Sequence, residues 1–142
     1  MAFVFGVPFE VSIMNTDILP VSANDDQLSM IISHGDSYPI TFFIKNSSTN
    51  VPINLTGCTA KLTVDSLRYP PDDTTNVFSV DAVLDSDPET GIMSFTPTTL
   101  NTSIDPKKYY YDVEITDADS NIKTIAKSTL TIVMDITKPV GV

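Results

Sequence analysis

Side chains able to move a proton, attack a carbonyl or hold a metal are scarce in this chain. It has one histidine, His34, and one cysteine, Cys58. His34 stands in the run His34-Gly35-Asp36, which reads as a turn. A Ser/His/Asp site would have to be assembled around it, and no serine sits in the glycine-flanked strand-to-helix setting that marks a nucleophile. His34 is therefore read as a loop residue. Cys58 falls on the inward side of an alternating segment, where a thiol acts as a small core side chain. Being single, it forms no internal disulfide.

Two acidic clusters invite comparison with calcium sites. Asp117, Asp119 and Asn121 match the opening of an EF-hand loop, but Ile122 occupies the glycine position and Ser128 that of the bidentate glutamate. Asp85, Asp87 and Glu89 could supply carboxylates from one loop. Both clusters read as turns, where short polar side chains bond their own backbone. Asn46-Ser47-Ser48, Asn54-Leu55-Thr56 and Asn101-Thr102-Ser103 match the N-glycosylation pattern and, without a secretory signal, are expected to stay bare. There is no phosphate-cradling glycine loop and no Cys/His metal-ligand spacing. The expectation is a protein with no catalytic residues, no cofactor and no metal, not an enzyme.

Charge narrows the partners. The chain has 142 residues, a net charge of -10 and a pI near 4.1. Nucleic acid binding needs clustered Lys and Arg, and anionic membranes repel such a surface, so neither is an expected partner. Residues 1–9 are apolar but lack a basic region and a small-residue cleavage site, and Pro8 and Glu10 interrupt the run, so no signal peptide is expected. No stretch is long enough to span a bilayer as a helix. A chain of this length reads as one domain with a core of its own.

The best-marked element is a β-hairpin over residues 108–133. Tyr109, Tyr111, Val113 and Ile115 alternate with Tyr110, Asp112, Glu114 and Thr116, the period of a half-buried strand. Residues 117–121 make the turn. Ile122, Thr124, Ala126, Ser128, Leu130 and Ile132 return on one face, with Lys123 and Lys127 on the other. Similar alternation gives strands over about 28–33, 38–45, 58–65, 77–84 and 91–96, with Phe78, Val80, Ala82 and Leu84 inward in the fourth. Residues 100–106 form a crossing segment with room for a single helical turn. Seven short strands with regular turn signals predict an all-β, immunoglobulin-like β-sandwich of antiparallel strands.

Ahead of the sandwich, Phe3, Phe5, Val7, Phe9, Val11 and Ile13 share one face of an extended segment. Pro8 cannot donate to a ladder, which places this segment at a sheet edge or outside the sheet. It either packs back on its own domain as an edge strand or docks on a neighbouring subunit by strand addition. The division adopted is an N-terminal arm or assembly segment over 1–26 and a sandwich over 27–142. Those six residues, with the outward aromatics Phe43 and Tyr110, are the candidate subunit-interface residues. On the docking reading, removal of residues 1–15 leaves a folded domain that no longer assembles.

Three segments carry a family resemblance. Residues 51–62, VPINLTGCTAKL, resemble a "proline, apolar, Asp/Asn, Leu-Thr-Gly, alternating strand" pattern. Residues 87–95, DPETGIMSF, are similar to an aspartate-turn-glycine lead-in to a strand. Residues 106–115, PKKYYYDVEI, resemble a closing "Tyr-x-Tyr-x-Val-x-Ile" strand, with Lys107-Lys108 where a glycine is usual. Together these make residues 28–137 resemble the N-terminal immunoglobulin-like domain of phage upper baseplate proteins and related virion modules. The resemblance implies a phage virion structural protein, a connector, baseplate, tail or head-decoration module working through subunit contacts. Its implied partners are other virion structural proteins and further copies of itself, as a trimer or higher homo-oligomer, in a virion assembled in the bacterial cytoplasm. The alternative is a receptor- or carbohydrate-binding module on the virion surface, for which the absence of Trp leaves a poorer sugar-stacking surface.

Overall fold

The computed structural model describes residues 6–15 and 28–134. They form two packed sheets. The first has the order β1 (Phe9–Ile13), β3 (Ile40–Asn46), β7 (Ile92–Phe95), β6 (Val83–Leu84). The second runs β2 (Met30–Ser33), β9 (Ile122–Val133), β8 (Lys108–Thr116), β4 (Thr59–Asp65), β5 (Asn76–Asp81). One turn of helix, α1 (Thr99–Thr102), lies in the segment between β7 and β8. The fold is an all-β sandwich of immunoglobulin-like class, as the alternation predicts.

The core is what the inward positions of the strands bring together. Ile40, Phe42 and Ile44 of β3 and Met93 and Phe95 of β7 are buried from one side. Leu62 and Val64 of β4, Tyr109 to Ile115 at alternate positions of β8, and Leu130 and Ile132 of β9 meet them from the other. Phe42 and Phe95 contact edge to face, with ring centroids 5.6 Å apart and planes at 82°, the geometry that aromatic quadrupoles favour. Loop residues Ile53 and Leu55 fill the end of this core.

Three details depart from simple alternation. Neighbouring strands run antiparallel except β2 and β9, which pair in parallel, Met30 beside Leu130 and Ile32 beside Ile132. After β2 the chain turns at His34-Gly35-Asp36 and continues as β3 in the opposite sheet. No hairpin therefore dictates the direction of the neighbour of β2. The strand expected over 77–84 is two strands: Ala82 still donates to Ala60 O at 2.9 Å, and then Val83 pairs with Ser94 in the other sheet. A strand that changes sheets keeps its period while changing its neighbours, so the sequence carries no mark of the switch.

The third departure is a β-bulge in the hairpin. Val113 pairs with Ala126 but Glu114 pairs with Thr124, leaving Ile125 as the extra residue. An inserted residue inverts the alternation on one side of it. Ile125 and Ala126 are both buried, while Ile122 and Thr124, expected inward, are exposed. A second bulge at Val64/Asp65 leaves Val77 unpaired on β5.

The leading segment takes the first of its two expected places. Residues Phe9–Ile13 are seated on the chain's own first sheet as its edge strand, antiparallel to β3. Pro8 lies just before the strand, where its missing N–H removes no ladder bond, and its carbonyl accepts from Ser47 N at 3.1 Å.

Candidate functional site

The candidate interface residues do not converge on one surface. Phe3 and Phe5 lie outside the described residues. Phe9, Val11 and Ile13 face inward, sharing the side of Phe42 and Ile44, with Ile13 buried and the other two packed against the core. Their apolar face is covered by their own domain. Val7, just before β1, is exposed. Phe43 lies on the outer side of the first sheet, between Ser12 and Ile92 in register, and is half-buried. Tyr110 lies on the outer face of the second sheet, so the two aromatics are on different faces of the sandwich.

Around Tyr110 the fold assembles something more specific. An open concavity of about 370 Å³ is lined by Arg68, Tyr69, Lys108, Tyr110, Lys127 and Thr129, with Ser29 and Ser128 at one side. Lys108 and Tyr110 share the outer face of β8 because they are two residues apart on a strand. β9 supplies Lys127 opposite Asp112 and Thr129 opposite Tyr110. Ser29 Oγ lies 3.1 Å from Ser128 Oγ and 2.9 Å from Thr129 Oγ1, tying the approach to β2 to β9. The loop after β4 brings in Arg68 and Tyr69, and the Arg68 guanidinium sits 5.5 Å from the Tyr69 ring centroid, in range for a cation–π contact.

Asp65 fixes the base of that loop. It is buried, and its Oδ1 accepts from Leu67 N and Thr75 Oγ1, both at 2.8 Å. Its Oδ2 has no hydrogen-bond partner among the described residues. Further along, Asp72 Oδ1 accepts from Thr74 Oγ1 at 2.6 Å and Thr74 N at 2.9 Å. These bonds, the hydroxyl's first, hold the Asp72 carboxyl below its ordinary pKa.

The electrostatics are unusual for an acidic chain. Arg68, Lys108 and Lys127 are three of its eight Lys and Arg residues. Among the described residues the ion pairs are Lys45–Glu10 at 3.7 Å and Lys61–Asp81 at 3.9 Å, neither involving these three. Lys127 faces Asp112, whose carboxyl pKa is pushed up by burial and by Glu114 and drawn down less strongly by Lys127. Beyond Tyr110 a smaller hollow of about 100 Å³ is shared by Arg68, Tyr110 and Lys127 with Asp65, Asn76 and Asp112. Sequence alone singles out Tyr110 but not Arg68, Tyr69, Lys108 or Lys127. The available signal is that so few cations in so acidic a chain fall on positions that alternation turns outward.

The remaining chemistry-bearing residues are placed in turns and core. His34 and Gly35 are the corner residues of the turn after β2, with Gly35 at φ 84° and Asp36 N donating to Ser33 O at 3.0 Å. Cys58 is buried, and burial first, then the charge of Asp117, pushes its thiol pKa up. Asp117 Oδ1 accepts from Asp119 N and Asn121 N at 2.9 Å each, and Oδ2 from Asn121 Nδ2 at 3.1 Å. Burial alone would raise the Asp117 carboxyl pKa, but these bonds together hold it below the ordinary value. Asp85 and Asp87 accept from Asp87 N and Glu89 N within their own turn. Among the described residues no three His, Cys, Asp or Glu side chains converge as a metal site would require.

Comparison with known proteins adds a family. Residues 14–138 match the family described as the BppU N-terminal domain. Among solved structures, the PmoD soluble domain of Methylocystis sp. is 13% identical at a TM-score of 0.46, over 87% of this chain and 90% of its own. CopC of Methylosinus trichosporium OB3b is 11% identical at 0.43, over 92% and 100%. The SrpA adhesin of Streptococcus sanguinis is 12% identical at 0.40, over 89% and 58%. Among curated proteins none matches.

Proposed function

This chain belongs to the family of the BppU N-terminal domain, that of the phage baseplate upper protein, and on that premise we propose that it joins subunits of the virion baseplate to one another. The family is a structural one rather than an enzyme family, and its members are virion components. The observation that carries the reading is the reach of the match, 14–138, which takes in β2 to β9 and so both sheets.

In such a role the chemistry is that of surfaces. A closed pair of sheets with large buried side chains gives a stiff body that holds its faces at fixed angles. Its edge strands, β1 and β6 on one sheet and β2 and β5 on the other, offer main-chain groups for strand addition. Val7, just before β1, and Phe43 on the first sheet are proposed contacts, with Tyr110 on the second, and homo-oligomerisation is the arrangement they serve. Among the described residues no helix is long and apolar enough to cross a membrane. Assembly in the bacterial cytoplasm belongs to the same reading.

The test is localisation combined with mass. Gold-labelled antibody against the chain is expected to mark the baseplate end of purified particles. Light scattering of the purified chain mixed with the neighbouring baseplate proteins is expected to show a joint species. A chain that labels no particle and stays monomeric in that mixture overturns the proposal.

A further inference from the structure

We propose that the hollow around Tyr110 is the docking site for an acidic polypeptide segment of a neighbouring virion protein. Carboxylates of that segment meet Arg68, Lys108 and Lys127, and its apolar atoms lie on Tyr69 and Tyr110. This deepens the baseplate reading and rests on it.

Charge is the first argument. The chain as a whole carries -10 and repels anions at a distance, yet three cations line one concavity. A hollow lined by one sign of charge concentrates the opposite sign. Arg68 is the strongest of the three for a carboxylate, because its planar fork can give two parallel hydrogen bonds. Its position against Tyr69 restricts the fork before anything binds, which lowers the ordering cost of association. The second argument is side-chain type: Tyr and Arg are the residues enriched at the energetic centres of protein interfaces.

The neighbouring hollow favours polypeptide over a uniform polyanion such as an acidic glycan. On the far side of Tyr110 the lining is mixed in charge: Asp112 and the buried Asp65 join Arg68 and Lys127 there. A chain bearing a negative charge on every unit sets some of its charges against Asp112 there. A polypeptide places carboxylates over the cations and then offers a main-chain N–H group or a basic side chain to Asp112. One extended segment crossing Tyr110 satisfies both hollows.

Two measurements on the full chain decide the matter. In the first, hexaglutamate is titrated into isotopically labelled protein at low salt and followed by NMR. Saturable shifts are expected at Lys108, Tyr110 and Lys127 to Thr129, and the double variant Arg68→Glu/Lys108→Glu is expected to bind roughly tenfold more weakly. Both side chains are exposed, so the variant keeps the wild-type melting curve. No shift, shifts spread over the whole surface, or tighter binding of a galacturonate oligomer of equal charge each overturns the proposal, the last in favour of a glycan site. In the second, wild type and double variant compete for incorporation into baseplates, and the variant is expected to lose. If both join equally, the docking site fails and the baseplate reading stands. If wild type does not join at all, the baseplate reading fails, and the docking site with it.

Discussion

At the scale of single residues, backbone geometry and buried charge give the sharpest expectations. Gly91 follows the 3-10 turn Pro88–Thr90 at φ 71°, and a Cβ built there would lie 2.4 Å from Ile44 O. Gly91→Ala therefore combines a left-handed backbone with a clash against main chain that cannot swing away. It is expected to cost at least about 1–3 kcal/mol, read from the midpoint of denaturant unfolding. Asp112 works in the other direction. Its carboxyl is held above its ordinary pKa by burial and Glu114, so the folded chain binds that proton more tightly than the unfolded one. Stability from this group is lost as pH rises past the ordinary aspartate value, and the loss is complete above the raised one. Asp112→Asn is thus expected to raise the melting temperature at neutral pH, by on the order of 1 °C for so partly exposed a group. The gain should vanish when both proteins are melted below the ordinary aspartate pKa. The sequence shows Asp112 and Glu114 as outward neighbours, but not the burial that contributes most to the shift, nor Lys127, which reaches Asp112 across a strand pair.

At the scale of elements, β1 changes what a truncation means. The apolar face of Phe9, Val11 and Ile13 is legible from alternation, and Pro8 correctly marks an edge. Whether that face meets its own core or a neighbour's is a question of long-range packing, which a pattern of period two cannot answer. In the structure Ile13 is buried beside Phe42, and the ladder with β3 continues through Met14 N to Thr41 O at 2.8 Å. Removing residues 1–15 is therefore expected to lower the unfolding midpoint, and Ile13→Ala alone to cost about 2 kcal/mol. A truncation that melts like the full chain would show that β1 contributes nothing to its own domain. Loss of assembly in that truncation mixes lost contacts with lowered stability, so the exposed Val7 is the better probe: Val7→Asp should leave the melting curve unchanged and weaken self-association. The bulge at Ile125 and the sheet change at Ala82 were illegible for a related reason. Both keep a plausible local alternation while altering which strand or face the next residue meets.

At the scale of the whole molecule, the sandwich was legible because seven inward sets separated by turns leave few other ways to bury them. The hollow was not: the hairpin pattern relates 108–110 to 127, but nothing local brings the loop at 68–69 to them. The same whole-molecule view separates the two kinds of contact proposed for this chain. Copies carrying -10 each repel one another, so self-association through apolar residues such as Val7 and Phe43 works against charge. Screening shortens the reach of that repulsion, from a Debye length of about 10 Å at 0.1 M salt to about 3 Å at 1 M. Self-association is therefore expected to hold or strengthen as salt rises. Docking of an acidic segment on Arg68, Lys108 and Lys127 is attraction between exposed charges, and the same screening should weaken it several-fold. Sedimentation velocity of the chain alone and hexaglutamate binding, each followed from about 0.05 to 0.5 M salt, are expected to move in opposite directions. If self-association instead dissolves in salt along with peptide binding, the copies meet through the cationic hollow itself. The acidic surface that fills it would then belong to a second copy of this chain.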